Sequence, residues 1–309
     1  MNAEQFIHLL QSDETPPTDQ ELNKGELSKL SLSGVNLVKW TFRDCRFNAC
    51  HFSQTDLSNS TFDHCHFIDC SFTEVNLSNS NWSNSSIQKT NIELSLLKNS
   101  EFNGSQLESS QWLNTDCSAS NISNSHLHDL RFEQCILDES SFFASVLTKT
   151  LIRQCQAKAA SWVECQMPGL HCDKSALNNA RFLAACDLSS ACFIDCQLDN
   201  SSFAEAVLIQ ADFSESDLQA SNFSDANLNA AKLHRVSAQR SVWTKSNLNA
   251  ADLYGCNLMN TLWIGARLTG ADFSYSNLYG ADFYQAILGE NSFFRANLNQ
   301  TILANWQPS

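Results

Sequence analysis

The sequence predicts an all-β chain that folds as a parallel β-solenoid of about 14 coils, and three observations predict it. From Leu32 to Phe182 a large apolar residue recurs every five positions, and after a slip of one residue the series runs from Leu188 to Leu303. Its smaller members are Cys117, Ala157, Cys172 and Ala238. Two positions before each large residue the chain nearly always has Ala, Ser, Thr, Cys or Val. The other three positions of each unit are mostly polar.

A longer period of 20 residues indicates how the five-residue units stack. Every fourth large residue is usually aromatic, as in Phe42, Phe62, Trp82 and Phe102, whereas the neighbouring series that starts at Leu37 has no aromatic member. A period of five fits neither a helix nor a simple strand. It fits a coil with four corners, in which equivalent residues of successive coils lie about 4.8 Å apart.

The pattern divides the chain into a cap and linker at 1–31, one solenoid at 32–303 and a C-terminal cap at 304–309. Residues 3–10 predict a short helix, and Trp306 is the candidate lid of the other end. Both ends need covers because open sheet edges recruit other chains. The slip at 183–187 keeps the 20-residue series in step, so it predicts a bulge within the solenoid.

Several units begin with Ala, then Asp or Asn, then Leu or Phe. They resemble the A(D/N)LXX repeat of the pentapeptide-repeat family over about residues 30–305, and the clearest are Ala271-Asp272-Phe273, Ala281-Asp282-Phe283, Ala251-Asp252-Leu253 and Ala226-Asn227-Leu228. The resemblance implies a right-handed quadrilateral parallel β-helix. Members of the family range from DNA mimics that protect topoisomerases to secreted effectors. Segments 256–262 and 278–283 also resemble pentapeptide-repeat proteins that accompany bacterial type VI secretion.

Charge and composition exclude several classes of protein. The net charge of −14 is opposite to what phosphate binding needs, so we expect no direct binding to nucleic acid. No apolar run is long enough for a membrane span, and no N-terminal pattern predicts a secretory signal. Thirteen cysteines without a zinc-type spacing favour a reducing compartment. We therefore expect a cytoplasmic protein, from a bacterium as the resemblance implies, with secretion as an effector as the alternative.

The cysteines follow the repeat, since ten of them occupy the small inward position: Cys45, Cys50, Cys65, Cys70, Cys135, Cys155, Cys165, Cys186, Cys196 and Cys256. Stacked pairs such as Cys45 and Cys65 would hold their Cβ atoms about 4.8 Å apart, beyond the roughly 3.8 Å of a disulfide. We interpret them as core residues. His64 and His66 flank Cys65 but should point outward. No catalytic or phosphate-binding motif occurs, so we expect neither an enzyme nor a cofactor or metal.

Two surfaces remain as candidate sites. An acidic belt between Arg181 and Lys232 has no basic residue and consists of Asp187, Asp195, Asp199, Glu205, Asp212, Glu215, Asp217 and Asp225. It could imitate a phosphate backbone, or simply keep the chain in solution. The second is an apolar contact patch at outward positions, which consists of Tyr254, Met259, Leu262, Ile264, Tyr279 and Tyr284. Exposed aromatic residues and Met are typical of protein interfaces.

These features predict a non-enzymatic interaction or scaffold protein that presents a rigid β-helical surface to a protein partner of unknown identity. The basic run Lys232, Arg235, Arg240 and Lys245, and the carboxylates Asp252, Asp272 and Asp282, would form a charged rim around the contact patch. A homodimer through the patch is an alternative. A DNA-mimic modulator of a topoisomerase and a translocated effector remain open as other functions.

Overall fold

The computed structural model describes residues 1–12 and 15–304. The chain divides into two compact units, Met1–Gln156 (unit 1) and Ala157–Ser309 (unit 2). Within these residues the paired strands are parallel, at offsets of 20 or 21 residues. This arrangement confirms the all-β right-handed β-helix that the sequence predicts.

Unit 1 opens with one helix and continues in strands of three residues. The helix is α1, Ala3–Gln11. The strands are β1 Glu21–Asn23, β2 Glu26–Ser28, β3 Ser31–Ser33, β4 Thr41–Arg43, β5 Arg46–Asn48, β6 His51–Ser53, β7 Thr61–Asp63, β8 His66–Ile68, β9 Ser71–Thr73, β10 Ser86–Gln88, β11 Asn91–Glu93, β12 Glu101–Asn103, β13 Gln106–Glu108, β14 Gln111–Leu113, β15 Asn121–Ser123, β16 His126–His128, β17 Arg131–Glu133, β18 Ser141–Phe143, β19 Val146–Thr148 and β20 Leu151–Arg153.

These strands form the faces of the solenoid in chain order. Face 1 has the ladders β1–β4–β7 and β12–β15–β18, face 2 has β2–β5–β8–β10–β13–β16–β19, and face 3 has β3–β6–β9–β11–β14–β17–β20. Face 4 is joined by single bridges, such as the one between Asp56 and Asn76. Four faces of five residues each produce the 20-residue period.

The faces of unit 2 are numbered in the same chain order. Among its described residues, 157–304, regular strands occur only at the beginning. They are β21 Ser161–Val163, β22 His171–Asp173, β23 Arg181–Leu183 and β24 Cys192–Ile194. Beyond β24 single bridges continue the pairing, with Asn277–Asn297 as a late example. Regular strands thus account for about nine turns, fewer than the 14 coils predicted, because later corners leave only one extended residue per side.

Each repeat position has a distinct physical role. The large residue is buried, and in unit 1 the rings of Phe42, Phe62 and Trp82 stack with centroids 5.2 and 4.1 Å apart. The small residue fits the corner, where a hydroxyl or thiol also donates to a carbonyl of the preceding coil, as Ser60 Oγ does to Leu37 O at 2.9 Å. This bond explains why so many Ser, Thr and Cys side chains are buried.

The remaining positions form the turn. Asp or Asn before the large residue accepts a hydrogen bond from the backbone two residues later, as Asp56 Oδ1 does from Ser58 N at 2.9 Å. The residue two positions after the large one has a left-handed backbone, as Asn59 does with φ 59°. Asn, Asp and Gly tolerate this conformation best.

Helix α1 lies against the first coil of unit 1. Asn2 and Gln5 form a capping box, and Phe6 is fully buried with its ring 5.2 Å from Trp40. Trp40 also donates its Nε1–H to Pro17 O at 2.9 Å. Trp40 occupies a position that is small in nearly all units, and its ring contacts the helix there. Strands β1 and β2 lie inside the segment 1–31, because Leu22 and Leu27 extend the five-residue series. Two residues before them stand Gln20 and Gly25, where most units have Ala, Ser, Thr, Cys or Val.

The slip lies at two successive left-handed residues, Ala184 and Ala185, with φ 56° and 54°. Partners across it are 21 residues apart, as in Arg181 and Ser202, and the offset returns to 20 beyond it. At the far end the structure describes the chain to Ala304, so the predicted lid Trp306 lies outside the described residues. Within the described part, no helix has the length and apolarity of a membrane span.

Candidate interaction surface

The six residues of the contact patch lie on three different faces of unit 2. Tyr254 is on face 3, Met259 and Tyr279 are on face 4, and the other three are on face 1. Tyr284 is 59% exposed and Leu262 is 38% exposed, while the other four are half-buried. Backbone hydrogen bonds from Asn260 N to Tyr279 O on face 4 and from Gly265 N to Tyr284 O on face 1 join successive coils.

The structure adds a continuous row of rings on face 3, which we call the aromatic row: His234, Tyr254, Tyr275 and Phe294, with the guanidinium of Arg295 beside the last two. His234 stacks on Tyr254 with centroids 5.0 Å apart. Tyr254 and Tyr275 are 5.2 Å apart, and Tyr275 meets Phe294 edge-on at 5.6 Å. The Arg295 guanidinium lies 5.7 and 5.4 Å from the Tyr275 and Phe294 rings.

The sequence pattern missed most of this row because its members alternate between two outward positions. Tyr254 and Phe294 directly follow a large residue, whereas Tyr275 is two positions beyond one. A comparison at a spacing of 20 therefore places Tyr275 above Gly255, not above Tyr254. A search at spacings of 19 and 21 would have found the row.

The acidic belt is not one surface. Asp195 and Glu215 are exposed on face 3, whereas Glu205 and Asp225 are exposed on face 1, two faces away in a coil of four. Three other members accept hydrogen bonds within their own turns. Ser189 N donates to Asp187, Ser214 N to Asp212 and Gln219 N to Asp217. Asp199 accepts hydrogen bonds from Asn178 and Asn200. Glu215 also lies 3.5 Å from Arg235.

The charged rim is likewise divided. Lys232 and Arg235 are on face 3, Arg240 is on face 4 and Lys245 is on face 1. The predicted rim carboxylates accept turn hydrogen bonds at 2.8 to 3.0 Å, Asp252 from Tyr254 N, Asp272 from Ser274 N and Asp282 from Tyr284 N. Their first role is therefore to hold the corners.

The cysteines lie in the core. All 13 are reduced thiols, and all except the half-buried Cys192 are buried. Burial raises the pKa of Cys256 to about 12, and the hydrogen bond with Cys45 followed by burial raises that of Cys65 well above its ordinary range. Cys196 and Cys172 hold their sulfur atoms 3.7 Å apart, a pair that the 20-residue spacing did not predict. Thiols held in the protonated form are poor nucleophiles and poor metal ligands.

The histidines face outward. His64 Nδ1 lies 2.8 Å from Asp63 Oδ1, and His66 is exposed. In residues 1–12 and 15–304 no group of three or more His, Cys, Asp or Glu side chains could hold a metal ion. An opening of unit 1 beside α1 is lined by Glu4, His8, Leu9 and Pro17 among others.

Two family models of pentapeptide repeats together match more than half of the chain. The model described as a pentapeptide repeat region matches residues 21–97 and 186–263, and one for pentapeptide repeats in eight copies matches 251–289. Among the curated proteins compared with the chain, none matches significantly.

Three solved structures are similar to the chain at low identity. HetL, a pentapeptide repeat protein involved in heterocyst differentiation regulation from the cyanobacterium Nostoc sp. strain PCC 7120, is 18% identical, with both chains covered in full and a TM-score of 0.33. Full-length QnrB1, a plasmid-mediated fluoroquinolone resistance protein, is 16% identical over 85% of this chain and 93% of its own, with a TM-score of 0.24. The periplasmic alginate epimerase AlgG is 8% identical over 94% of this chain and 82% of its own, with a TM-score of 0.37. Such scores carry no functional argument, but the family models and the five-residue frame agree: the chain belongs to the pentapeptide-repeat family.

Proposed function

We propose that this protein is a non-enzymatic interaction or scaffold protein, which binds a protein partner through the outward side chains of its C-terminal coils. The observation that carries the proposal is the set of apolar side chains at outward positions of unit 2, since such positions are mostly polar in the repeat. Tyr284 at 59% exposed and Leu262 at 38% exposed keep much of their apolar surface in contact with water. Burial of such surface against a partner would be favourable by about 25 cal/mol per Å².

The contact patch is tested by replacing Tyr279 and Tyr284 together with Ser. Both side chains point outward, so the fold should persist, with an unchanged circular dichroism spectrum and melting temperature. Ile209→Ser is the matched control, because Ile209 is an exposed apolar residue at the same repeat position on face 2.

Affinity capture followed by quantitative mass spectrometry should show a partner that the wild type and Ile209→Ser retain and the double variant loses. Sedimentation velocity on the same three proteins shows whether the partner is a second copy. If neither the captured proteins nor the sedimentation coefficient differ among the three, the contact patch is not the binding surface.

The division of the acidic belt over opposite faces favours this proposal over DNA mimicry. An imitation of a phosphate backbone needs aligned charges, but Asp187, Asp212 and Asp217 are held by their own turns. We expect no inhibition or protection in a DNA gyrase supercoiling assay at micromolar protein. Inhibition that disappears in Glu205→Gln/Asp225→Asn would instead favour the mimic.

A further inference from the structure

The aromatic row joins exposed rings into one surface on face 3 of unit 2. Tyr275 is 44% exposed and Phe294 is 59% exposed, although each contacts a neighbouring ring. Because the rings support one another, few rotamers are lost when a partner covers them. The row therefore offers preorganised apolar area along several coils.

The surroundings of the row are cationic in a chain whose net charge is −14. Faces 3 and 4 between residues 232 and 300 carry the cations Lys232, Arg235, Arg240 and Arg295. The carboxylates on the same faces are Asp252 and Asp272, and both accept turn hydrogen bonds. Asp252 also lies 3.8 Å from His234. Glu215 of the preceding coil lies 3.5 Å from Arg235 and partly offsets its charge, but the cations beside the rings still outnumber the carboxylates, which complements an acidic ligand.

Rings and arginines in this combination are typical of the centres of protein interfaces. Tyr, Trp and Arg dominate binding hot spots, and interface cores are enriched in aromatic residues, Met and Arg but depleted in Lys, Asp and Glu. Met259 and Tyr279 lie on face 4, the next face along the chain. Arg295, which is exposed, can bind a carboxylate while its plane remains against the Tyr275 ring.

We propose that the aromatic row and the arginines beside it bind an acidic segment of a protein partner, one that pairs carboxylates with apolar side chains. This inference rests on the proposed function and moves the centre of the contact from faces 4 and 1 to face 3. The carboxylates meet Arg235, Arg240 and Arg295, and the apolar side chains cover Tyr275 and Phe294. Binding by such pairs weakens with salt, because the Debye length falls from about 10 Å at 0.1 M to about 3 Å at 1 M.

The repeat itself supplies mild substitutions for the test. Phe294→Ser reproduces Ser274, which occupies the same column one coil earlier, and Tyr275→Asn places a residue that tolerates the left-handed backbone at φ 61°. Arg295→Gln removes the charge alone. Ile209→Ser is the control, because Ile209 is an exposed apolar residue on face 2 that lies outside both the contact patch and the aromatic row.

The probe is a phage library of random dodecapeptides selected on the immobilised wild-type protein. We expect the recovered peptides to be rich in Asp, Glu and aromatic residues. By fluorescence polarisation, their affinity should fall at least about tenfold in Tyr275→Asn/Phe294→Ser and in Arg295→Gln, and also in high salt. It should change little in the control variant. If the double variant fails to fold, Arg295→Gln and the salt response decide whether the row binds the acidic peptides.

Several outcomes overturn the inference. Recovery of basic or neutral peptides excludes an acidic partner, and so does acidic-peptide binding that persists in the row variants. Loss of binding only in Tyr279→Ser/Tyr284→Ser leaves the proposed function standing but returns the contact to the patch. Peptide binding that no variant changes contradicts both proposals. A row-dependent change in sedimentation, or row-dependent binding to an oligosaccharide panel, would assign the row to a second copy or to a glycan instead.

Discussion

At the scale of single residues, the Asp or Asn before each large side chain is a structural group. Asp116 shows the general case, because its Oδ1 accepts hydrogen bonds from the backbone N and the hydroxyl of Ser118. In addition, its Oδ2 lies 2.9 Å from Lys98 Nζ. Burial acts to raise the pKa of Asp116, but the bonds from Ser118 and Lys98 outweigh it and hold the pKa below its ordinary value.

Asp116→Asn should lower stability slightly at neutral pH. Asn76 occupies the same column, so Asn preserves the turn and removes only the pairing with Lys98. A partly exposed pair of this kind contributes about 0.2–1 kcal/mol. A carboxyl with a lowered pKa stabilises the fold above its unfolded pKa, and that contribution is lost as the pH falls through the folded value.

Urea unfolding of the wild type and Asp116→Asn checks this at about pH 7 and about pH 3. The difference in the free energy of unfolding should shrink at the lower pH, and Lys98→Gln should show the same trend. A difference that stays constant or grows on acidification would show that the Lys98 pair does not stabilise this corner.

The buried thiols should react very slowly in the native state. The reason is their coverage, because Cys117 and Cys50 are fully buried although the hydrogen bond with Cys70 lowers the pKa of Cys50. Burial also raises the pKa of Cys256 to about 12. Half-buried Cys192 should therefore be the first thiol to react with a disulfide reagent near pH 8, and Cys192→Ser should remove that phase. Rapid modification of several thiols in Cys192→Ser would show that the coils open readily.

At the scale of the structural element, the stacked rings of face 1 are the largest packing feature of unit 1. Trp82 lies 4.1 Å from Phe62 and 5.8 Å from Phe102, and its Nε1–H donates to Ser80 Oγ at 2.7 Å. Removal of the indole would leave a cavity between two coils that the paired backbones cannot close. The corner cysteine nearby fills much less space.

Trp82→Ala should lower the free energy of unfolding by about 3–5 kcal/mol, and Phe142→Ala should cost a similar amount. Cys65→Ala should cost less than half as much, because Ala occupies many equivalent corners. Equilibrium unfolding in urea measures all three. If the cysteine variant proved the least stable, the Cys65 thiol would have a role beyond filling the corner.

Helix α1 is the second element whose contribution can be measured. Phe6 is fully buried against Trp40 and Phe42, with centroids 5.2 and 6.1 Å away. Phe6→Ala should cost about 3–5 kcal/mol and expose the first coil, which should increase aggregation. Asn2→Ala removes only the helix cap and should cost about 1 kcal/mol. Light scattering and thermal melting compare the aggregation and stability of the two variants. Equal losses in both would mean that the helix does not cover this end.

At the scale of the whole molecule, the register of the repeat decides which side chains become neighbours. The 21-residue offset across Ala184 and Ala185 is absorbed by two left-handed alanines, each of which costs about 1–2 kcal/mol. Regular pairing resumes beyond them. The extra residue is therefore an insertion that the coil tolerates and does not need.

Deletion of Ala184 should leave the melting temperature unchanged or higher, since it restores a five-residue unit. Deletion of Ala230 is the matched control, because this left-handed alanine lies in a regular coil and its removal shifts every later residue by one. The control should be strongly destabilised. Equal losses in the two deletions would show that the bulge is required for the fold.

The sequence by itself determined the solenoid, its period and the identity of its buried residues. This was possible because covalent spacing alone decides which residues point inward when every coil has the same length. The same reasoning placed Tyr279 and Tyr284 on the surface. It also predicted the core cysteines, since Ala, Ser and Cys share the corner.

Only the tertiary structure decided which outward side chains touch. Tyr275 reaches the Tyr254 ring from a different repeat position, 21 residues along the chain, and this contact depends on side-chain rotamers. The structure likewise showed that Asp187 and Asp212 bind their own turns, which divides the acidic belt. The contact between Trp40 and Phe6 of helix α1 is likewise seen only in the structure. A repeat specifies the direction of a side chain, whereas its neighbours determine what that side chain binds.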